Sequence, residues 1–292
     1  MKRGMLFLLV ISMLFLAGCA YILGARDRFA GQQPEVPRGI GLSIVDNFPS
    51  LGIQEGTDAH VQVKVINYNA KDTDVNVRLK DSVHESQGGI GSDVVDSRSM
   101  IGSGTEERPK GFDEETITFG PFEYSGISSG QTVTFTAEAS FDYDYESTAE
   151  VCIDGFNARP KKCGNEIRLA GAGLGLDAMR SPVAVTLVKA SPYASEDGVT
   201  LPMEITIANI GNGLLKNDMV ENIHVDIRGF DVRCNKREIK FTEEIRDRTI
   251  SCTGKGDVEE GNSLRPLLAI SYKYTYKTIV DSRSVKLIIE ER

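Results

Sequence analysis

Tryptophan is absent from the 292 residues, and histidine occurs three times, at His60, His84 and His224. Three widely separated histidines leave little from which to build a histidine-dependent hydrolase or zinc enzyme. No Gly-x-Ser-x-Gly elbow seats a nucleophilic serine. No Asn-x-Ser/Thr sequon occurs, so sequon-type N-glycosylation is not expected. Positive charge is also short: Lys and Arg total 33 against 42 Asp and Glu, a formal charge of −9. Such an acidic chain repels phosphate backbones, which argues against nucleic acid as a partner. Past Arg26 no stretch carries the 3.6-residue period of a useful amphipathic helix. These absences predict a protein that is not an enzyme, with no catalytic residues, no cofactor and no bound metal. What is present is a 40% apolar composition, enough to bury a core and too much for a wholly disordered chain.

Met1-Lys2-Arg3-Gly4 precedes a nearly unbroken apolar run from Met5 to Gly24. A short basic start followed by such a run marks an export signal or membrane anchor. A run of about 20 residues can span a bilayer as a helix, with Lys2 and Arg3 cytoplasmic and the remainder outside. Three readings stay open. Leu16-Ala17-Gly18-Cys19 resembles a lipobox, which would put a lipid on Cys19. Ala20-Tyr21-Ile22-Leu23 continue the apolar run past that cysteine, as an uncleaved signal anchor would. Lys2-Arg3-Gly4 resembles an archaeal prepilin cleavage site, which would process the chain after Gly4.

The five cysteines are Cys19, Cys152, Cys163, Cys234 and Cys252. An odd count in an exported chain needs an explanation, and lipidation of Cys19 supplies one. The other four allow three connectivities. The local one, Cys152 with Cys163 and Cys234 with Cys252, crosses no domain boundary and is the expected one. Zinc sites need cysteines two to four residues apart, and neither pair has that spacing. Disulfides also agree with an oxidising exterior.

Residues 26–41 are polar, rich in Gly and Pro, and read as a linker. From Leu42 the pattern alternates, as in His60-Val61-Gln62-Val63-Lys64-Val65 and Val75-Asn76-Val77-Arg78-Leu79, the mark of half-buried strands. Residues 81–115 are rich in Gly, Ser and charge and read as a long insertion with little core. Glu150 to Asp154 and Asn165 to Leu169 read as a hairpin closed by the first cysteine pair. Ala170 to Leu176 is a Gly-rich break without the dinucleotide fingerprint. It reads as part of an inter-domain linker over 169–182.

The two halves resemble each other. Val63-Lys64-Val65-Ile66-Asn67 matches Ile205-Thr206-Ile207-Ala208-Asn209, and Val77-Arg78-Leu79 matches Val225-Asp226-Ile227. Ser140-Phe141-Asp142-Tyr143-Asp144-Tyr145 matches Ser271-Tyr272-Lys273-Tyr274-Thr275-Tyr276. The order is the same in both halves. Each Phe/Tyr-x-Tyr-x-Tyr stripe puts three rings on one strand face, expected to be the core face because the intervening positions are charged or polar.

This order of anchors resembles the immunoglobulin-like, CARDB-like adhesion modules of archaeal and bacterial surface proteins. The resemblance implies an all-β chain: two tandem immunoglobulin-like β-sandwiches, 42–168 and 183–292, preceded by one N-terminal hydrophobic helix over 1–25. It also implies a spacer or binding role with no active site.

Asp142, Asp144 and Glu146 share one strand face. Clustered carboxylates suit calcium, but the matching positions Lys273, Thr275 and Lys277 favour a solvated face, with electrostatic contact between the halves. The mixed-sign run Arg233 to Arg248 reads as a solvated hairpin. The expected function is that of a membrane-anchored, extracytoplasmic structural, adhesion or assembly module. Its partners would be the membrane and envelope proteins. The alternatives are a pilin-like or envelope filament subunit assembling through its N-terminal helix, and a ligand-binding or enzymatic lipoprotein with its site in 81–115.

Overall fold

The computed structural model describes residues 37–90, 94–104, 111–128, 130–242, 244–282 and 284–289. The expected anchor over 1–25, Cys19 within it, and the linker as far as residue 36 lie outside the described residues. Among the described residues no helix is long and apolar enough to cross a membrane.

Alternation dominates the chain. Ala59–Asn67 reads apolar at every second position and buries those positions while its intervening side chains face outward. This is what a strand with one covered face requires. Strands of five residues or more are β1 (Ile40–Ile44), β2 (Ala59–Asn67), β3 (Thr73–Asp81), β4 (Val94–Met100), β5 (Asp113–Phe122), β6 (Phe135–Glu150), β7 (Val183–Ala190), β8 (Gly198–Asn209), β9 (Met219–Ile227), β10 (Phe230–Cys234), β11 (Asp247–Gly256) and β12 (Leu267–Asp281). The protein is all-β, and among the described residues the one α-helix, α1, is the five-residue Leu176–Arg180.

One sheet has the order β1-β2-β5. A larger one runs from Ile167–Leu169 through β7, β8, β11, β10, β9, β12, β6 and β3 to β4. The repeat in the sequence is a repeat in the pairing. Val63 sits opposite Ile117 as Ile205 sits opposite Ile250. Ile40 faces Asn67 as Val183 faces Asn209, and Val77 faces Ala139 as Val225 faces Ile270. Hence β1, β2, β3, β5 and β6 correspond to β7, β8, β9, β11 and β12.

The halves meet along β6 and β12, which pair antiparallel without a register shift from Thr136↔Asp281 to Glu150↔Leu267. Tyr143↔Tyr274 is the central pair of this ladder, flanked by Phe141↔Tyr276 and Tyr145↔Tyr272. Equivalent residues facing each other across an antiparallel ladder are the mark of a local two-fold axis, and here it passes through Tyr143 and Tyr274.

Beyond this seam each half lends its end to the other. After β6, Ile153–Asp154 pairs with Ser263–Leu264, and Ile167–Leu169 pairs with β7. After β12, Val285–Ile288 lies parallel to Gly52–Gln54 and antiparallel to Thr132–Val133. Pro37–Arg292 is accordingly one compact unit. The hairpin expected between 150–154 and 165–169 does not form, because both segments find partners in the second half. Alternation tells which face is covered and not which strand lies alongside.

The connecting stretch 169–182 is also built into the body. A 3-10 turn over Gly171–Leu174 leads into α1, with Leu174 and Ala178 buried. Gly175 joins the two at φ +87, a left-handed conformation that glycine adopts at no steric cost. The expected insertion 81–115 holds a strand, β4, at the sheet edge. Six of its seven residues stay exposed or half-buried and only Met100 is fully buried, so no apolar alternation advertised it.

Candidate functional site

Six rings form the seam. Phe141, Tyr143, Tyr145, Tyr272, Tyr274 and Tyr276 are all at most 5% exposed, so the stripe faces inward. Tyr145 and Tyr272 stack at 4.2 Å, Tyr143 and Tyr274 lie 5.6 Å apart, and Phe141 and Tyr276 5.8 Å.

Their hydroxyls tie the seam to the covering layer. Tyr145 Oη accepts from the Val185 amide (3.3 Å), and Tyr272 donates to the Val183 carbonyl (3.1 Å). Tyr276 donates to Asn209 Oδ1 (3.0 Å) and accepts from Gly213 N (2.8 Å). Tyr143 donates to Asp177 Oδ1 (2.9 Å), whose Oδ2 accepts from Glu146 N (2.9 Å) and meets Lys71 Nζ at 3.3 Å. Tyr274 breaks the pattern: among the described residues its hydroxyl and the nearby Ser181 Oγ make no hydrogen bond of normal geometry. Burial raises the phenol pKa of all five tyrosines, to about 12 for Tyr145 and Tyr276. The ring hydroxyls therefore act as neutral structural donors and acceptors.

The opposite face of the same strands is charged and solvated. Asp144 meets Lys273 at 3.0 Å, Glu138 meets Lys277 at 2.7 Å, Glu146 meets Lys71 at 3.6 Å, and Thr275 donates to Asp142. The acidic run of one half and the basic run of the other are thus cross-strand partners. Of the three candidate calcium ligands, Asp142 and Asp144 have such cross-strand neighbours, and Glu146 meets Lys71 of its own half. Among the described residues no group of three or more acidic, His or Cys side chains could hold a metal ion.

The histidines are apart: His60 is exposed on β2, His84 accepts from the Ser86 amide in a 3-10 turn, and His224 is exposed on β9. Part of the 81–115 segment folds around a buried phenol. Tyr124 donates to Asp81 Oδ2 (2.8 Å), which also accepts from Ile90 N (2.8 Å). Burial and the Asp81 carboxylate raise the Tyr124 pKa.

Two disulfides form, Cys152–Cys163 and Cys234–Cys252, in the local pairing. The second staples β10 to β11, where the two residues face each other in register. The first closes a loop that Asp154 organises from within. Its carboxylate accepts from Ser263 Oγ (2.6 Å), Cys163 N (3.1 Å) and Lys162 N (3.2 Å). These bonds, Ser263's first, hold its pKa below the ordinary carboxylate value.

The loop faces Pro192–Ala194 across a cleft of about 410 Å³ lined by Asp154, Phe156, Asn157, Arg159, Lys161, Asn165 and Tyr193, among others. The sequence reading missed this cleft and the role of Asp177. A signal for the cleft existed: residues 155–165 contain Arg159, Lys161 and Lys162 and no acid, in a chain of net charge −9. Nothing in the sequence ties Asp177 to Tyr143.

Compared with known proteins, the chain matches no protein-family model and no curated protein sequence.

Proposed function

We propose that this protein is a membrane-anchored, extracytoplasmic surface protein whose body is a non-catalytic, immunoglobulin-like structural or adhesion module. The pair of disulfides carries the reading. Such bonds persist outside the reducing cytosol, and the basic and apolar start of the chain is what exports a body to that side.

In this reading the mechanism is presentation of the body to envelope components. The first described residues join the body beside the central seam. Arg38 donates to the Ala178 carbonyl (3.1 Å) and Gly39 N to the Arg180 carbonyl (3.1 Å).

Protease added to intact cells should cleave the body, and only detergent should release the chain from membranes. Mass spectrometry of its N-terminus should find a lipid on Cys19, an intact Met1–Gly24 segment, or processing after Gly4. A body protected in intact cells, with Cys152, Cys163, Cys234 and Cys252 as free thiols, overturns the proposal.

A further inference from the structure

The cleft between the first disulfide loop and Tyr193 has features of a binding site that the display reading does not use. Its floor is rigid before any ligand arrives. The loop is closed by Cys152–Cys163 and held from inside by Asp154. It is clamped to the facing turn by Asn157 Nδ2 on Glu260 Oε1 (2.8 Å) and by Gly261 N on the Phe156 carbonyl (2.8 Å). Preorganisation of this kind removes an ordering cost from binding.

The walls are chemically distinctive. Arg159 and Lys161 both line the cleft and are exposed, and among the described residues neither forms a close salt bridge, although Lys161 lies in the field of Asp154. The Lys161 ammonium approaches only Asn165 Oδ1, at 3.5 Å. The one carboxylate lining the cleft, Asp154, is engaged by Ser263, Cys163 and Lys162, and nearby Glu260 and Glu259 are engaged by Asn157 and Asn262. Opposite the cations stands Tyr193, 60% exposed. It is set in a short strand paired with β8 (Tyr193↔Thr200), so its ring is presented from a fixed backbone.

An exposed aromatic ring stacks on the apolar face of a sugar, side-chain amides bond its hydroxyls, and a guanidinium grips a carboxylate in two-point contact. We propose that this cleft binds an acidic saccharide, a uronate-bearing glycan, with Tyr193 under a sugar ring and Arg159 and Lys161 on its carboxylates. The volume of about 410 Å³ falls within the range of small-ligand pockets, matching one or two sugar residues of a longer chain. The cationic cleft on an otherwise acidic protein concentrates an anionic ligand there and makes binding fall with salt. The inference stands apart from the anchoring proposal, since the cleft is the same whichever way the N-terminus is processed.

Calorimetry of the detergent-solubilised full chain with tetragalacturonate, and with maltotetraose as the uncharged control, tests it. Tetragalacturonate should bind, maltotetraose should not, and affinity should drop as salt rises. Arg159→Ala with Lys161→Ala should weaken binding at least about tenfold, and Tyr193→Ala should weaken it in low and high salt alike. All three positions are exposed, and circular dichroism checks that the variants fold. The proposal is overturned if tetragalacturonate does not bind at millimolar concentration, or if it binds the variants as well as the parent. It is also overturned if the substitutions change the oligomeric state instead, which would make the cleft a contact between copies.

Discussion

The two halves follow one strand plan and close their open sides differently. In the second half β10 pairs with both β9 and β11, so the two layers are joined by backbone hydrogen bonds, and Cys234–Cys252 locks the join. In the first half β4 pairs, among the described residues, with β3 alone. The gap to β5 is crossed by side chains: Arg98 meets Glu115 at 3.3 Å and Asp113 accepts from Ile101 N at 2.9 Å. Because the ends are exchanged, the other disulfide, though its cysteines belong to the first repeat, also braces the second-half end. Covalent bonds therefore guard one end and polar contacts the other, while the seam between them belongs to both. A duplicated plan keeps its shared core and lets its extremities diverge.

Four experiments bear on that contrast, in order of expected size. The largest is alkaline unfolding. The interior phenols are neutral in the fold with raised pKa values, to about 12 for Tyr145 and Tyr276, whereas the unfolded chain ionises from about pH 10. Stability is full below pH 10 and is lost as pH climbs through 12. Absorbance at 295 nm should show Tyr124, Tyr143, Tyr145, Tyr272, Tyr274 and Tyr276 ionising only as the circular dichroism collapses. Gradual ionisation of those six in a folded chain would place the seam in contact with water.

Next are Tyr143→Ala and Tyr274→Ala. Each should cost about 3–5 kcal/mol through lost burial and a cavity. Each should shift one common transition, because the halves share one core. A melt that splits in two, with one half unmoved, would restore independent domains.

Removing a disulfide comes third. In the chain-entropy model, loops of this size are worth about 3 kcal/mol, so Cys152→Ser/Cys163→Ser and Cys234→Ser/Cys252→Ser should each lose about that much. Hydrogen exchange should quicken first at the second-half end in both variants. If the first-half end opened first, the assignment of braces to ends would be wrong.

The smallest effect distinguishes the two central tyrosines. Tyr143→Phe removes a buried donor from Asp177 and should cost about 1–3 kcal/mol. Tyr274→Phe removes a hydroxyl that makes no hydrogen bond of normal geometry among the described residues and should change stability by less than about 0.5 kcal/mol. Urea melts of both variants measure it, and equal costs would show that the Tyr274 hydroxyl is bonded.

Much of this was readable beforehand, for physical reasons. Period-two alternation identified β2, β3 and β8 because one face of each is covered. The matched runs about Tyr143 and Tyr274 identified equivalent strands, and the change from Asp142, Asp144 and Glu146 to Lys273, Thr275 and Lys277 between them matches the cross-strand charge pairing, as at Asp144↔Lys273. Local cysteine spacing gave both disulfides. What escaped was neighbourhood. Ile153, Ile167 and Val285 look like strand residues of their own repeats, yet each pairs in the opposite half, since a strand's pattern records its buried face and nothing about its edge partner. Asp177 escaped because a carboxylate in a Gly-rich stretch carries no periodic mark. The cleft escaped because its two walls, at Arg159 and Tyr193, come from different repeats.

The exchange of ends also governs when the chain can fold. β6 is complete at Glu150, but the strand that covers its inward edge starts at Leu267, and the strand that completes the far end of the first half is Val285–Ile288. Contacts so distant along the chain are slow to form, because loop closure comes before any reward. A chain emerging N-terminus first therefore holds Phe141, Tyr143 and Tyr145 beside an unpaired strand edge until Leu267–Asp281 is released. That is the exposure that invites association between unfinished chains. Truncation near Leu267 should give aggregates and not a smaller folded protein.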